Sequence, residues 1–293
     1  MELSTTMEIS SQIDPSIIVM ILFAAAMHAG WNTLVKVSGD RLSIMALIAL
    51  AGAFVSLLAL PFVEAPDPAV WPILLLSILV HTGYNLVLPK AYEHGDLGQV
   101  YPIARGSAPI LVAIGAIIFV GEYVSPLVLV GIVALSVGVM SLAMDKTSSG
   151  AVNKKATLLA LATGVCIATY TVIDGIGARA AGSVLGFAVW LTIGDGILTF
   201  LIALAIKKKA LWKAAKSRPG SIALGGTMQV FAYWIIIWAL ASAPMGMVSA
   251  LRETSVLLAA LISVFLLKEG FGVWRFVSAG LVTVGLMLSQ SQK

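Results

Sequence analysis

Charge is scarce in this sequence. Of 293 residues only 11% are Asp, Glu, Lys or Arg, while 59% are apolar. A soluble domain carries about 25% charged residues, so the shortage excludes an ordinary water-soluble globule. Cysteine is nearly missing as well. A single Cys166 rules out a disulfide within the chain, and its apolar surroundings read as packing. Histidine is limited to His28, His81 and His94. Neither H-E-x-x-H nor G-x-S-x-G occurs, no glycine-rich phosphate loop is present, and no loop could hold a soluble catalytic domain. These gaps argue against an intramembrane hydrolase and against ATP hydrolysis on this chain. Neither a cofactor nor a nucleic-acid partner is expected. The first fourteen residues lack Lys and Arg, so they do not form the basic n-region of a cleavable signal. The first apolar segment is expected to stay as a span.

What the sequence has is long apolar runs. A spanning helix needs about 20 such residues, and ten stretches qualify: 16–36, 42–63, 70–90, 99–120, 125–144, 156–176, 184–206, 220–241, 246–267 and 272–290. Turn-forming breaks separate them, among them "SGDR", "EAPDP", "EHGDLG", "KKKALWKAAKSRPG" and "SAPMG". Short breaks make neighbouring helices antiparallel. Lys and Arg crowd the loops after helices 1, 3, 5, 7 and 9, from Lys36 and Arg41 through Lys207, Lys208 and Lys209 to Lys268 and Arg275. The other side holds only Arg179 and Lys293. The positive-inside rule then predicts cytoplasmic odd loops and both termini outside.

One segment echoes another. "GQVYPIARGSAPILVAIGAIIFVGE" ends at Glu122 and "GMVSALRETSVLLAALISVFLLKE" ends at Glu269. Arg105 and Arg252 each precede their glutamate by seventeen residues, about 25 Å of helix and close to a full bilayer core. Arg105 falls in helix 4 and Arg252 in helix 9, five spans later. Five is odd, so the second copy is inverted in the membrane. Inverted repeats are a recurring plan of secondary transporters, which hold substrate where the halves meet. The predicted fold is an all-α polytopic membrane protein. Its ten transmembrane helices form two inverted five-helix repeats, residues 1–147 and 148–293, around a central cavity.

These stretches, with "AGWNTLVK" in helix 1, resemble the EamA-type proteins of the drug/metabolite transporter superfamily. The resemblance covers about 16–290 and implies a ten-helix basket around a cavity. It also implies a class that includes bacterial exporters of amino acids and related metabolites. Helix 6 departs from the pattern, reading "ATYTVIDG" where helix 1 has its Trp-Asn pair.

Polar and ionisable groups inside spans are rare and default to function. Helix 1 carries His28, Trp31 and Asn32 on one face, and helix 3 carries His81, Tyr84 and Asn85 with the same spacing. Such faces line a cavity or bond to neighbouring helices. Tyr101 joins the set from helix 4, Tyr170 from helix 6, Trp190 from helix 7, and Gln229 and Tyr233 from helix 8. Asp195 is near mid-span and reads as functional. Asp174 stands near the predicted end of helix 6, where contact with water is expected. Arg105 and Arg252 lie about 9 Å inside their helices. They are expected at opposite mouths, snorkelling to headgroups or holding gate ion pairs or a substrate carboxylate. Glu253 follows Arg252 but points about 100° away on a regular helix. Glu122 and Glu269 read as solvated helix-end charges or structural partners. Pro102 and Pro109 are candidates to kink helix 4. Helices 5 and 10 have almost no polar face and read as peripheral, a candidate homodimer contact. The cavity is expected between helices 1, 3, 4, 6, 8 and 9.

The reading is a secondary-active or exchange-type transporter in the inner (plasma) membrane. It exports amino acids or similar small polar metabolites by alternating access. The alternative is proton-coupled efflux of small cationic or drug-like compounds, for which a carboxylate in helix 1 is expected and none is present. The expected partners are the bilayer and a small-molecule substrate.

Overall fold

A computed structural model describes residues 13–36, 40–95, 97–144, 153–259 and 273–290. Among these residues the regular elements are all helices. They are α1 (Pro15–Lys36), α2 (Arg41–Ala59), α3 (Trp71–His94), α4 (Leu97–Gly115), α5 (Pro126–Ser141), α6 (Lys154–Ala180), α7 (Val184–Ser217), α8 (Pro219–Ser242), α9 (Met245–Arg252) and α10 (Val273–Gln290). The eight helices α1 to α8 are long and apolar enough to cross a membrane. Their outer faces carry Phe23, Phe54, Leu79, Phe119, Leu158 and Ile206 in exposed positions. In water such faces would drive aggregation, whereas against lipid tails they match their solvent. The chain is a multi-pass membrane protein.

Local chemistry starts the helices where the breaks were read. Asp40 accepts from the Ser43 N–H at the head of α2, Ser125 from Val128 at α5, Asn153 from Lys155 and Ala156 at α6, and Ser183 from Gly186 at α7. Each satisfies backbone donors that a first turn leaves orphaned. Pro126 and Pro219 fill first-turn positions, where their missing N–H costs nothing. α4 continues through both Pro102 and Pro109, loosens into a π-helical turn at Ala116–Val120, and stops at Gly121, whose φ of 71° suits glycine.

Two spans depart from the predicted pattern. The basic segment after residue 206 is helical, not a loop. α7 runs on to Ser217 with a break at Lys207 (φ −125°, ψ 28°). "KKALWKAAKS" is made of strong helix formers, and Leu211 packs on Ala46, Leu47 and Ala203 while Lys208, Lys209, Trp212 and Lys213 face outward. The predicted continuous helix 9 is interrupted: α9 ends at Arg252, Glu253 turns, and the chain is helical again over 254–259. The Thr254 hydroxyl donates to the Leu251 carbonyl at 2.8 Å, the local competition that weakens helices at such residues. Glu269 lies outside the described residues.

Helix pairing is dominated by α2 on α7, α5 on α10, α4 and α3 on α6, α1 and α2 on α8, and α4 on α5, and further pairings include α3 on α7, α7 on α8, α4 on α9, α6 on α8 and α1 on α9. Close approach rests on glycines. A Cβ at Gly226 would stand 2.7 Å from the Ile48 carbonyl oxygen, and one at Gly285 would stand 2.6 Å from that of Gly131. The small-residue faces of α5 and α10 are thus taken up by each other, leaving Val130, Val133, Val137, Phe276 and Val284 exposed.

Candidate functional site

A cavity lies at the centre of the bundle, lined from α1 by Ala24, His28 and Trp31, and from α3 by His81, Tyr84 and Asn85. α4 adds Arg105, α6 Tyr170, α8 Gln229 and Tyr233, and α9 Arg252. Ala49 and Gly52 of α2, Leu191, Thr192 and Asp195 of α7, and Val230, Ala232 and Ile236 of α8 complete the wall. α2 and α7 are therefore walls too, which the expected helix set omitted. α2 was overlooked because its contribution is small and apolar.

Three polar clusters surround this space. The first centres on Asp174, whose side chain is fully buried. It accepts from the Ser77 and Tyr233 hydroxyls, and His81 Nε2 stands 3.0 Å from its Oδ2. Tyr170 stacks on the His81 ring at 3.9 Å between centroids. The expectation that Asp174 meets water is overturned. α6 extends to Ala180, so Asp174 is well inside the helix, and its i, i+4 spacing from Tyr170 turns both toward α3.

The second cluster centres on Asp195. It accepts from Thr82 at 3.3 Å, from the Asn85 amide at 3.1 and 3.2 Å, and from Thr199 at 3.1 Å. All three donors are neutral. The His81/Tyr84/Asn85 face of α3 thus divides its work, with His81 on Asp174 and Asn85 on Asp195. Thr192 bonds Ser56 at 2.7 Å and accepts from the Trp234 indole at 3.3 Å.

The third cluster corrects the expected separation of the arginines. Arg105 and Arg252 share one carboxylate: Arg105 Nε lies 2.7 Å from Glu253 Oε2, and Arg252 Nε lies 3.6 Å from Oε1. Arg105 also reaches the Ser255 hydroxyl at 3.5 Å. All three charged side chains are buried. Starting about 9–12 Å from opposite ends of a 30 Å core, two long side chains meet near the middle. The turn at Glu253 brings its carboxylate back toward Arg252, against the regular-helix expectation.

Other candidates fall elsewhere. His28 Nδ1 accepts from the Trp31 indole at 3.3 Å, while Asn32 donates to the His28 carbonyl at 2.8 Å and does not line the cavity. Trp190 packs edge-on against Trp71 at 5.1 Å, outside the cavity wall. Tyr101 packs on the apolar core around α4 and α5. Glu253 sits behind the arginines. Glu122 is a structural partner: it takes Arg179 Nη2 at 2.7 Å and the Met245 N–H at 3.0 Å. Arg179 also donates to the Leu240 and Ala243 carbonyls at 3.0 and 2.9 Å.

With this geometry in view, comparison with known proteins is informative. Residues 154–290, the stretch from α6 to α10, match the model of the EamA-like transporter family. Among curated proteins, none matches the sequence. A solved crystal structure superposes with a TM-score of 0.72, covering 93% of this chain and 94% of its own, at 16% identity. At that identity the likeness speaks to fold alone. The matched stretch contributes Tyr170, Asp174, Asp195, Thr199, Tyr233, Arg252, Glu253 and Ser255 to the three clusters, and α3 and α4 contribute Ser77, His81, Thr82, Asn85 and Arg105.

Proposed function

We propose that this protein is a secondary transporter that moves amino acids or closely related small polar metabolites out of the cell by alternating access. The observation that carries the reading is a cavity rich in ionisable groups at the centre of an apolar bundle. Burying such groups is expensive unless they are paired or used. Asp195 bonds only to neutral donors, an arrangement suited to receiving a cationic group from the cargo. Aromatic residues Tyr84, Tyr170 and Tyr233 supply the walls for a side chain.

The inverted-repeat plan draws support from the helix contacts. Shifting every helix by five converts α1 on α8 into α6 on α3, α2 on α8 into α7 on α3, and α4 on α6 into α9 on α1. α2 on α7, α4 on α9 and α5 on α10 map onto themselves. The family match to a unit of five helices fits two such units in the chain. The bias of Lys and Arg toward one side favours termini on the outer side, and a homodimer would use the outward faces of α5 and α10.

Counterflow in vesicles tests the cargo. Labelled amino acids should exchange saturably and be displaced by other zwitterions. Displacement by cationic dyes alone would favour the drug-efflux alternative and sink the amino-acid reading.

A further inference from the structure

Two guanidinium groups face one carboxylate at the cavity edge. Arg105, Arg252 and Glu253 are 1%, 3% and 0% exposed, and their formal charges leave one positive charge over. Glu253 does not line the cavity, whereas both arginines do. Arg252 is the less satisfied of the two. Its closest approach to Glu253 is 3.6 Å, through Nε, and like Arg105 Nε its Nε and Nη2 are shut off from solvent and make no well-aligned hydrogen bond among the described residues. Arg105 is held harder, at 2.7 Å from Glu253 and within reach of Ser255. A buried guanidinium with idle donors and no full counter-charge is costly.

We propose that Arg252 is the anchor of an anion subsite and takes the carboxylate of the cargo, while Glu253 and Arg105 fix its position. This inference rests on the transport reading above and names the chemical group on which that reading depends. The single excess positive charge matches a monoanionic carboxylate. A phosphate dianion would overshoot it. Arg252 lines the cavity, and a guanidinium there can donate charge-assisted hydrogen bonds to a carboxylate. Asp195 stands on the same cavity as a carboxylate without a cationic partner. The cavity is therefore bipolar, with each pole short of one opposite charge. Glu253 is a positioning residue. It holds two like charges together from outside the cavity.

The test uses counterflow of a mixture of 14C-labelled L-amino acids in proteoliposomes of the full chain. Competitors are unlabelled L-amino acids and the corresponding amino-acid amides, which keep the ammonium and side chain but lose the carboxylate. The wild type should prefer acids over amides by about ten- to hundredfold, the range of a charge-assisted hydrogen bond. Arg252→Gln should bring that preference to within about threefold, and Arg252→Lys should keep most of it. Glu253→Gln removes a negative charge behind the anchor and should raise it, an outcome that a purely structural cluster would not produce; an unchanged or lower ratio in the folded variant counts against the anchor. Monodisperse elution from detergent confirms that each variant folds. If Arg252→Gln does not fold, the wild-type ratio and the Glu253→Gln and Arg252→Lys ratios still decide. Exchange in which amides compete as well as acids overturns the anion subsite alone. Lack of any exchange with the wild type overturns the transport reading and this inference together.

Discussion

At the scale of single residues, Asp174 is the test of how the buried polar groups are held. Its carboxylate is the common acceptor for Ser77, His81 and Tyr233. Tyr233→Phe removes one donor and leaves the others, so it should cost about 1 kcal/mol of stability. Asp174→Ala takes the shared acceptor from all three partners, Ser77 fully buried among them, and should cost about 3 kcal/mol or more. Thermal unfolding of both variants in detergent checks the order, and equal losses would contradict it. His81 is legible from its helical spacing, and Tyr170 and Tyr233 as polar groups inside spans, but the predicted end of helix 6 puts Asp174 at the wrong depth. A helix end judged four residues early was enough to turn a buried hub into a solvated charge. The meeting of Arg105 with Arg252 was also hidden. Their equal offsets were legible in the sequence, but the crossing of α4 and α9 that joins them, and the turn at Glu253, depend on tertiary packing.

At the scale of elements, glycine contacts, a loop ion pair and a terminal clasp each make a separate claim. Gly285→Ala drives a methyl into the Gly131 backbone and should cost about 1–3 kcal/mol. Gly280 on the same helix has open space around it, so Gly280→Ala should be neutral or gain up to about 1 kcal/mol from helix propensity. Thermal midpoints of the pair separate packing from propensity. At the α1–α2 junction, Lys207 Nζ stands 3.2 Å from Asp40 and ties the break in α7 to the head of α2. Burial raises the Asp40 pKa, but hydrogen bonds from Ser43 and the Lys207 ammonium outweigh it, so the net shift is downward from 3.8. A lowered carboxylate pKa stabilises the fold above the unfolded value, and the benefit disappears as pH falls through the folded one. Asp40→Asn keeps the cap and removes the charge. The wild type should lead it by less than about 1 kcal/mol at neutral pH, as for a screened surface pair, with the gap closing in acid. At the other end of α6, Arg179 and Glu122 bind the ends of α4, α6 and α8 to the start of α9. In a Cys166→Ser background, a cysteine placed at Ala243 should react faster with a membrane-impermeant maleimide once Arg179 is changed to Gln. An unchanged rate would leave the clasp without a closing role.

At the scale of the whole molecule, apolar surface outside and charge inside follow from one constraint. Lipid accepts the outer aliphatic and aromatic faces, and only a functional cavity or a partner charge justifies what lies within. The membrane-spanning class was legible from composition, and the first eight spans from the length of the apolar runs. The helical extension of α7 was not, because its charged sequence reads equally as loop and as amphipathic helix. The break in α9 was hidden in a run that looks uniformly apolar apart from "RET". The central claim is that this bundle carries small polar solutes through the cavity shared by its two halves. Its most direct measurement is uptake of 14C-labelled L-amino acids into vesicles preloaded with the same unlabelled mixture. The account predicts saturable exchange by the wild type and its loss in a folded Asp195→Asn, Arg252→Gln double variant. Wild-type uptake no faster than in protein-free vesicles, or an undiminished rate in the double variant, would contradict it.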